Sequence, residues 1–172
     1  METGKMPILR PTDEAGGATI IVAATTTMYF CAVSRKVKRV TALAEEFKHE
    51  KLDPYYAGFF KLFNRQKFYE AHEVLEHIWL KDKYGPDGAF YKGLIQLAGA
   101  FVHLQKDHLR PSAALFKLAQ ANLQKYPAIH HHLDIGVVLK LIANWLGRLE
   151  GQDFKINPLT ASNSPGLLLL NH

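Results

Sequence analysis

Cysteine is nearly absent. Cys31 stands alone, which excludes an intrachain disulfide and a thiolate zinc site built by this chain by itself, and fits a reducing compartment. No glycine-rich loop of the kind that cradles phosphate is present. No Ser or Cys stands beside a readable base, so nucleophilic catalysis has no visible starting point. Alternation of polar and apolar residues between turn signals never runs long enough to give a sheet. Excess charge is scarce as well: 21 Lys and Arg face 16 Asp and Glu, divided as eight against six in residues 1–52 and thirteen against ten beyond. A surplus so evenly spread argues against nucleic acid as a partner. The one dense basic run, Arg35, Lys36, Lys38 and Arg39, reads as the solvated first turn of a helix. Tyr55, Tyr56, Phe59, Phe60 and Phe63 have the spacing of a core-facing helix rather than of a base-stacking platform.

A long hydrophobic run is also missing. Ala18 to Val33 is uncharged over sixteen residues, short of the roughly 20 that a spanning helix needs, and diluted by Thr19, Thr25, Thr26 and Thr27. Asp13 and Glu14 precede it and the basic run follows it, the reverse of a secretory signal. Membrane contact is therefore expected only through this segment, in a tethered form, and the default expectation is a cytoplasmic protein. Translation starting at Met28 is a further reading of the same segment. Residues 1–17, with Pro7, Pro11, Gly16 and Gly17, bury too little apolar area to offset their ordering entropy.

What the chain does hold is apolar helical pattern: 48% of its 172 residues are hydrophobic, enough for one bundle-sized core. Ser34 can cap a helix to about Glu50. Asp53-Pro54 is a sharper start, a capping carboxylate followed by proline at the first helical position, with the stop near Asn64. Phe68 to Trp79 follows, ended by Gly85-Pro86-Asp87-Gly88. Phe90 to Gln105 is apolar almost all round, as a helix at the centre of a bundle would be. Pro111 can open the next helix, which Tyr126-Pro127 ends, and Asp134 caps a last one to about Gly151. The expectation is an all-α, compact bundle of about five helices over 34–151. An extension, 1–33, precedes it and an irregular tail, 152–172, follows.

Five ionisable side chains fall within Phe68 to Trp79. At 100° per residue Phe68, Ala71, Leu75 and Trp79 share one arc, widened by Val74 and Ile78, while Glu70, Glu73 and His77 face away from it. His72 and Glu76 close the other flank, one above the other. On the central helix, Lys92, Gln96 and His103 share a stripe. His72, Glu76, Gln96 and His103 thus form a candidate polar pocket, because a buried carboxylate and imidazoles must satisfy each other, a water or a ligand.

Three uses of that pocket stay open: a hydrogen-bond network fixing helix register, a binding site for a small molecule or protein, and a metal-dependent hydrolase. In the last, a divalent metal on His72, Glu76 and His103 activates water, with Glu73, Glu76 or Gln96 assisting catalysis. His72-Glu73-x-x-Glu76 is not a zincin motif, because the closing position is Glu76 and His77 lies one residue too late. Glu followed three residues later by His, as di-iron bundles require, is missing too. His130-His131-His132 has two readings, a metal grip at a surface and, the preferred one, a solvated loop ahead of a helix cap.

These residues carry a resemblance. Phe63-Asn64, then Phe68 with Glu70 to Glu76 and Trp79, then Phe90-Tyr91-Lys92-Gly93-Leu94-Ile95-Gln96-Leu97-Ala98 with His103, resemble a family known as domain of unknown function 309, over about Asp53 to Tyr126. The resemblance implies a small all-α bundle and brings no established activity. The chain departs from the family's pattern at Leu80, where a basic residue is usual, and at Ser112-Ala113, where a glycine-alanine pair is usual.

Overall fold

A computed structural model describes residues 38–42, 45 and 52–170. By its contacts the chain divides after Lys38, and the fold is that of the unit from Arg39 onward. It is mostly helical, as expected. Residues 38–42 and 45 are helical, and the rest of the helix expected from Ser34 to Glu50 lies outside the described residues. From Pro54 onward five helices follow one another: α1 (Pro54–Asn64), α2 (Phe68–Lys81), α3 (Gly88–Gln105), α4 (Leu109–Leu123) and α5 (Ile135–Gly151). The two-residue strands β1 (Ile129–His130) and β2 (Leu133–Asp134) stand before α5. This short antiparallel hairpin is a departure from the sequence expectation, which held no sheet; two residues are too few to leave a period.

Local chemistry explains the boundaries. Asp53 accepts from the amides of Tyr55 and Tyr56 at 2.8 and 3.3 Å, with Pro54 in the first turn of α1, and Asp134 accepts from Val137 N at 3.0 Å at the start of α5. Helix α4 begins at Leu109, two residues before the proline expected to open it. Pro111 still lies in the first turn, where a missing N–H costs nothing. Three helices end in the same hydrogen-bonded reversal, each through a residue with positive φ that is not glycine: Gln66 (58°), Asp107 (59°) and Asp153 (48°). After α1, Gln66 N donates to Phe63 O and Lys67 N to Leu62 O. After α3, Asp107 N donates to Leu104 O and His108 N to His103 O. After α5, Asp153 N donates to Glu150 O and Phe154 N to Leu149 O. These bonds satisfy carbonyls that a helix end leaves open.

Helix α3 is the buried rod that the sequence suggested, with Phe90, Leu94, Leu97, Ala98, Ala100, Phe101 and Leu104 fully covered. Phe101 joins four other elements: its ring centroid lies 5.4 Å from Phe63, 5.0 Å from Phe68, 5.1 Å from Phe116 and 5.0 Å from Trp145. Such edge and stacked pairs add to the burial of the rings themselves. The segment after α5 is irregular, as expected, yet fastened down. Asn64 exchanges two 2.8 Å hydrogen bonds with the backbone of Leu167, and Asn157 donates to Leu104 O at 2.7 Å. Leu169 bridges Leu133, and Leu170 N donates to His132 O at 2.7 Å. Among the described residues no helix is long and apolar enough to cross a membrane. Ala18 to Val33 lies outside the described residues.

Candidate functional site at the histidine hairpin

The register of the hairpin, Ile129 opposite Asp134 and His130 opposite Leu133, leaves His131 and His132 as a two-residue turn. Both have positive φ, 46° and 62°, the conformation a tight hairpin of this length requires. Asn-Gly normally fills such a turn. A pair of left-handed non-glycine residues costs about 1–3 kcal/mol each, although histidine tolerates that region better than most. The turn is held from outside: Tyr56 donates its hydroxyl hydrogen to His131 O at 2.9 Å and Leu170 N donates to His132 O. Successive strand residues face opposite ways; here the left-handed turn brings the His131 ring back beside His130, with centroids 4.4 Å apart.

Both rings converge on Asp87. His130 Nε2 lies 2.7 Å from Asp87 Oδ1 and His131 Nε2 lies 2.8 Å from Asp87 Oδ2, one imidazole for each carboxylate oxygen. Asp87 is the N-cap residue of α3, yet its side chain makes no capping bond. The amide it would ordinarily take, that of Phe90, donates instead to the Tyr126 hydroxyl at 2.9 Å, and that hydroxyl donates in turn to Pro86 O at 2.8 Å. Tyr126 thereby releases Asp87 for the histidines. Burial by itself would push the Asp87 carboxyl up; the hydrogen bonds from His131 and His130, and their positive charge, outweigh it and hold the group below the usual carboxylate range.

An aromatic wall surrounds the three. Phe90 stands 4.8 Å and Tyr126 4.7 Å from the His130 ring, and Tyr91 stacks on His131 at 6.0 Å. Burial, then Asp87 and Asp53, pushes the Tyr91 phenol up to about 12. Burial, then Tyr91 and Asp87, raises Tyr56 further still. Both remain neutral donors over the physiological range. His130, Asp87 and His131 keep 21%, 30% and 40% of their side-chain surface, so the cluster is walled but open to solvent. Among the described residues these are the one group of three metal-capable side chains whose ligand atoms lie within 4.8 Å of one another.

The residues singled out from the sequence are placed elsewhere. Gln96 turns to α4, its Oε1 accepting from Asn122 Nδ2 at 2.8 Å. His103, at the end of α3, lies 5.6 Å from the ring of His108. Burial, His108 and Lys106 lower its pKa. His72 and Glu76 are half-buried on α2, His72 stacking on Tyr69 at 6.4 Å. Glu73, expected to face away from the apolar arc, is instead only 3% exposed and forms an ion pair with Arg39. Arg39, expected to be simply solvated, is thus a partner of the motif helix. His77 stacks on Tyr55 at 4.4 Å, and burial followed by Lys81 lowers its pKa.

The hairpin departs from the preferred reading of His130-His131-His132 as a simply solvated loop, since His130 and His131 both bond Asp87 while staying partly exposed. Asp87 and His130 are 43 residues apart, and no local period connects a breaker sequence with a later histidine run. The available signal was the two-residue gap between His130 and Leu133 ahead of the Asp134 cap.

No curated protein and no solved structure matches this chain. A family model does, over residues 56–123, a stretch running from α1 to the end of α4 and including Asp87 and the motif helix. The histidine hairpin follows it in sequence. The family model is that of the family described as Domain of unknown function (DUF309), and residues 56–123 of this chain are similar to it.

Proposed function

We propose that this protein is a small-ligand-binding module, and that the ligand is taken where His130 and His131 meet Asp87 under Tyr56, Tyr91 and Tyr126. One observation carries the reading: the N-cap carboxylate of α3 is withheld from its own helix and handed to two imidazoles. Capping is worth about 1 kcal/mol to a helix, and the hairpin that presents the imidazoles holds two left-handed residues. Two unfavourable local choices at one half-open spot are what a binding site retains and a loop discards. In this reading Gln96 serves the seam between α3 and α4, and His72 and Glu76 serve the packing of α2.

Nuclear magnetic resonance on the full chain, titrated with a library of small charged and aromatic molecules, tests the proposal. Ligands that bind should move the signals of Asp87, Tyr91, Tyr126, His130 and His131 first. Shifts centred on His72, Glu76 and His103 would return the site to the face of α2 and α3, where the hydrolase alternative with its divalent metal was expected from the sequence. A broad patch that responds only to added protein would make this an interaction module.

A further inference from the structure

Resting on that reading of the hairpin site, we infer that its ligand is a first-row divalent transition-metal ion, held by His130 Nε2, His131 Nε2 and one oxygen of Asp87. Two imidazole nitrogens and one carboxylate oxygen are a donor set that such ions take with a coordination position left open. The three donor atoms lie within 4.8 Å of one another. Bonds of about 2.0–2.2 Å require donor atoms about 3.4 Å apart, so the 2.7 and 2.8 Å contacts open slightly when an ion enters.

The surroundings fit the same use. Metal-bound groups are held in place by a second layer of hydrogen bonds, and here Tyr56 anchors the His131 carbonyl while Tyr126 keeps the Phe90 amide from recapturing Asp87. Phe90, Tyr91 and Tyr126 pack against the imidazoles, and His131 is the most exposed of the three ligands. Without an ion each Nε2 lies against the carboxylate. Coordination replaces the proton there: a neutral ring transfers it to Nδ1, and a charged ring releases it to water. The cluster carries a single carboxylate, so a divalent ion leaves it with net positive charge, suited to hold an anionic group or an ionised water in the open position.

The test is isothermal titration of the full chain, purified without a histidine tag, with zinc ion alone, supported by the visible spectrum of the cobalt-loaded protein. One ion per chain is expected, with an accompanying rise in melting temperature. Asp87→Asn and His130→Gln should weaken binding at least about a hundredfold, while His108→Gln, remote from the hairpin, should bind as the parent does. Tyr126→Phe keeps all three ligands and should still cost about tenfold, which separates site geometry from any failure of the ligand variants to fold. Zinc binding that is equally affected by His108→Gln, or indifferent to Asp87→Asn, would overturn the inference. Zinc that fails to bind while an organic ligand binds with the same dependence on Asp87 and His130 would overturn the metal and keep the ligand site. Failure of both would overturn the two together.

Discussion

Tyr126 Oη accepts the amide hydrogen of Phe90 at 2.9 Å, so that a side chain from beyond α4 caps α3 in place of its own N-cap residue, Asp87. Removing the hydroxyl by Tyr126→Phe leaves that amide to Asp87, which cannot serve both the helix and the two imidazoles. The expected loss is about 1 kcal/mol, the usual worth of a cap, measured by urea denaturation, together with displaced His130 and His131 ring signals. A variant as stable as the parent, with unmoved imidazoles, would mean that Asp87 was never competed for.

Glycines 93 and 147 should respond in opposite directions. A Cβ at Gly93 would stand 2.7 Å from Leu123 Cγ across the α3–α4 seam, whereas one at Gly147, on the exposed side of α5, meets nothing within 4 Å. Gly93→Ala should therefore destabilise by about 1–3 kcal/mol through overpacking. Gly147→Ala should stabilise by about 0.5–1 kcal/mol by removing the entropy of glycine in a helix. Thermal unfolding of the two variants in parallel checks the pair, and equal signs would contradict the closeness of α3 and α4.

Gln66 ends α1 with φ at 58°, where a side chain is strained and glycine is not. Gln66→Gly should raise stability by about 0.5–1 kcal/mol, the relief of the left-handed conformation exceeding the added freedom of the unfolded chain. Its side chain contributes none of the bonds that close the turn, since those are backbone bonds from Gln66 and Lys67. A melting temperature that falls would show the turn to be formed otherwise.

His103 supplies the pH dependence. Burial, then His108 and Lys106, lowers its folded pKa below 6.5, so between the two values the unfolded chain binds the more protons. Its contribution to stability is therefore fully present above pH 6.5 and is lost as pH falls through the lowered folded value. Histidine ring resonances followed against pH should place His103 below 6.5, and His108→Gln should move it upward. A midpoint at or above 6.5 in the parent would remove the repulsion from the account.

Much of the fold was legible because it repeats along the chain. Asp53-Pro54 and Asp134 wrote their helix starts in local chemistry, and the unbroken apolarity of Phe90 to Gln105 marked α3 as central. The reversals after α1 and α3 were less legible, because Gln66 and Asp107 occupy positions where glycine would have been the readable sign. Helical spacing placed His72, Glu76, Gln96 and His103 on faces but not opposite particular neighbours. Gln96 found Asn122, and Glu73, on the face expected to meet water, found Arg39. The cluster at Asp87 was illegible for a stronger reason: it needs a capping residue that does not cap, a tyrosine that replaces it, and a turn that folds one histidine back on another. Each is a tertiary choice against local preference.

The most direct measurement is anomalous diffraction at the zinc edge from crystals of the untagged chain grown with zinc ion. The account predicts one strong peak per chain, about 2.0–2.2 Å from His130 Nε2, His131 Nε2 and an oxygen of Asp87. A peak on His72, Glu76 or His103 with none at the hairpin, or no ordered ion at all, would contradict it.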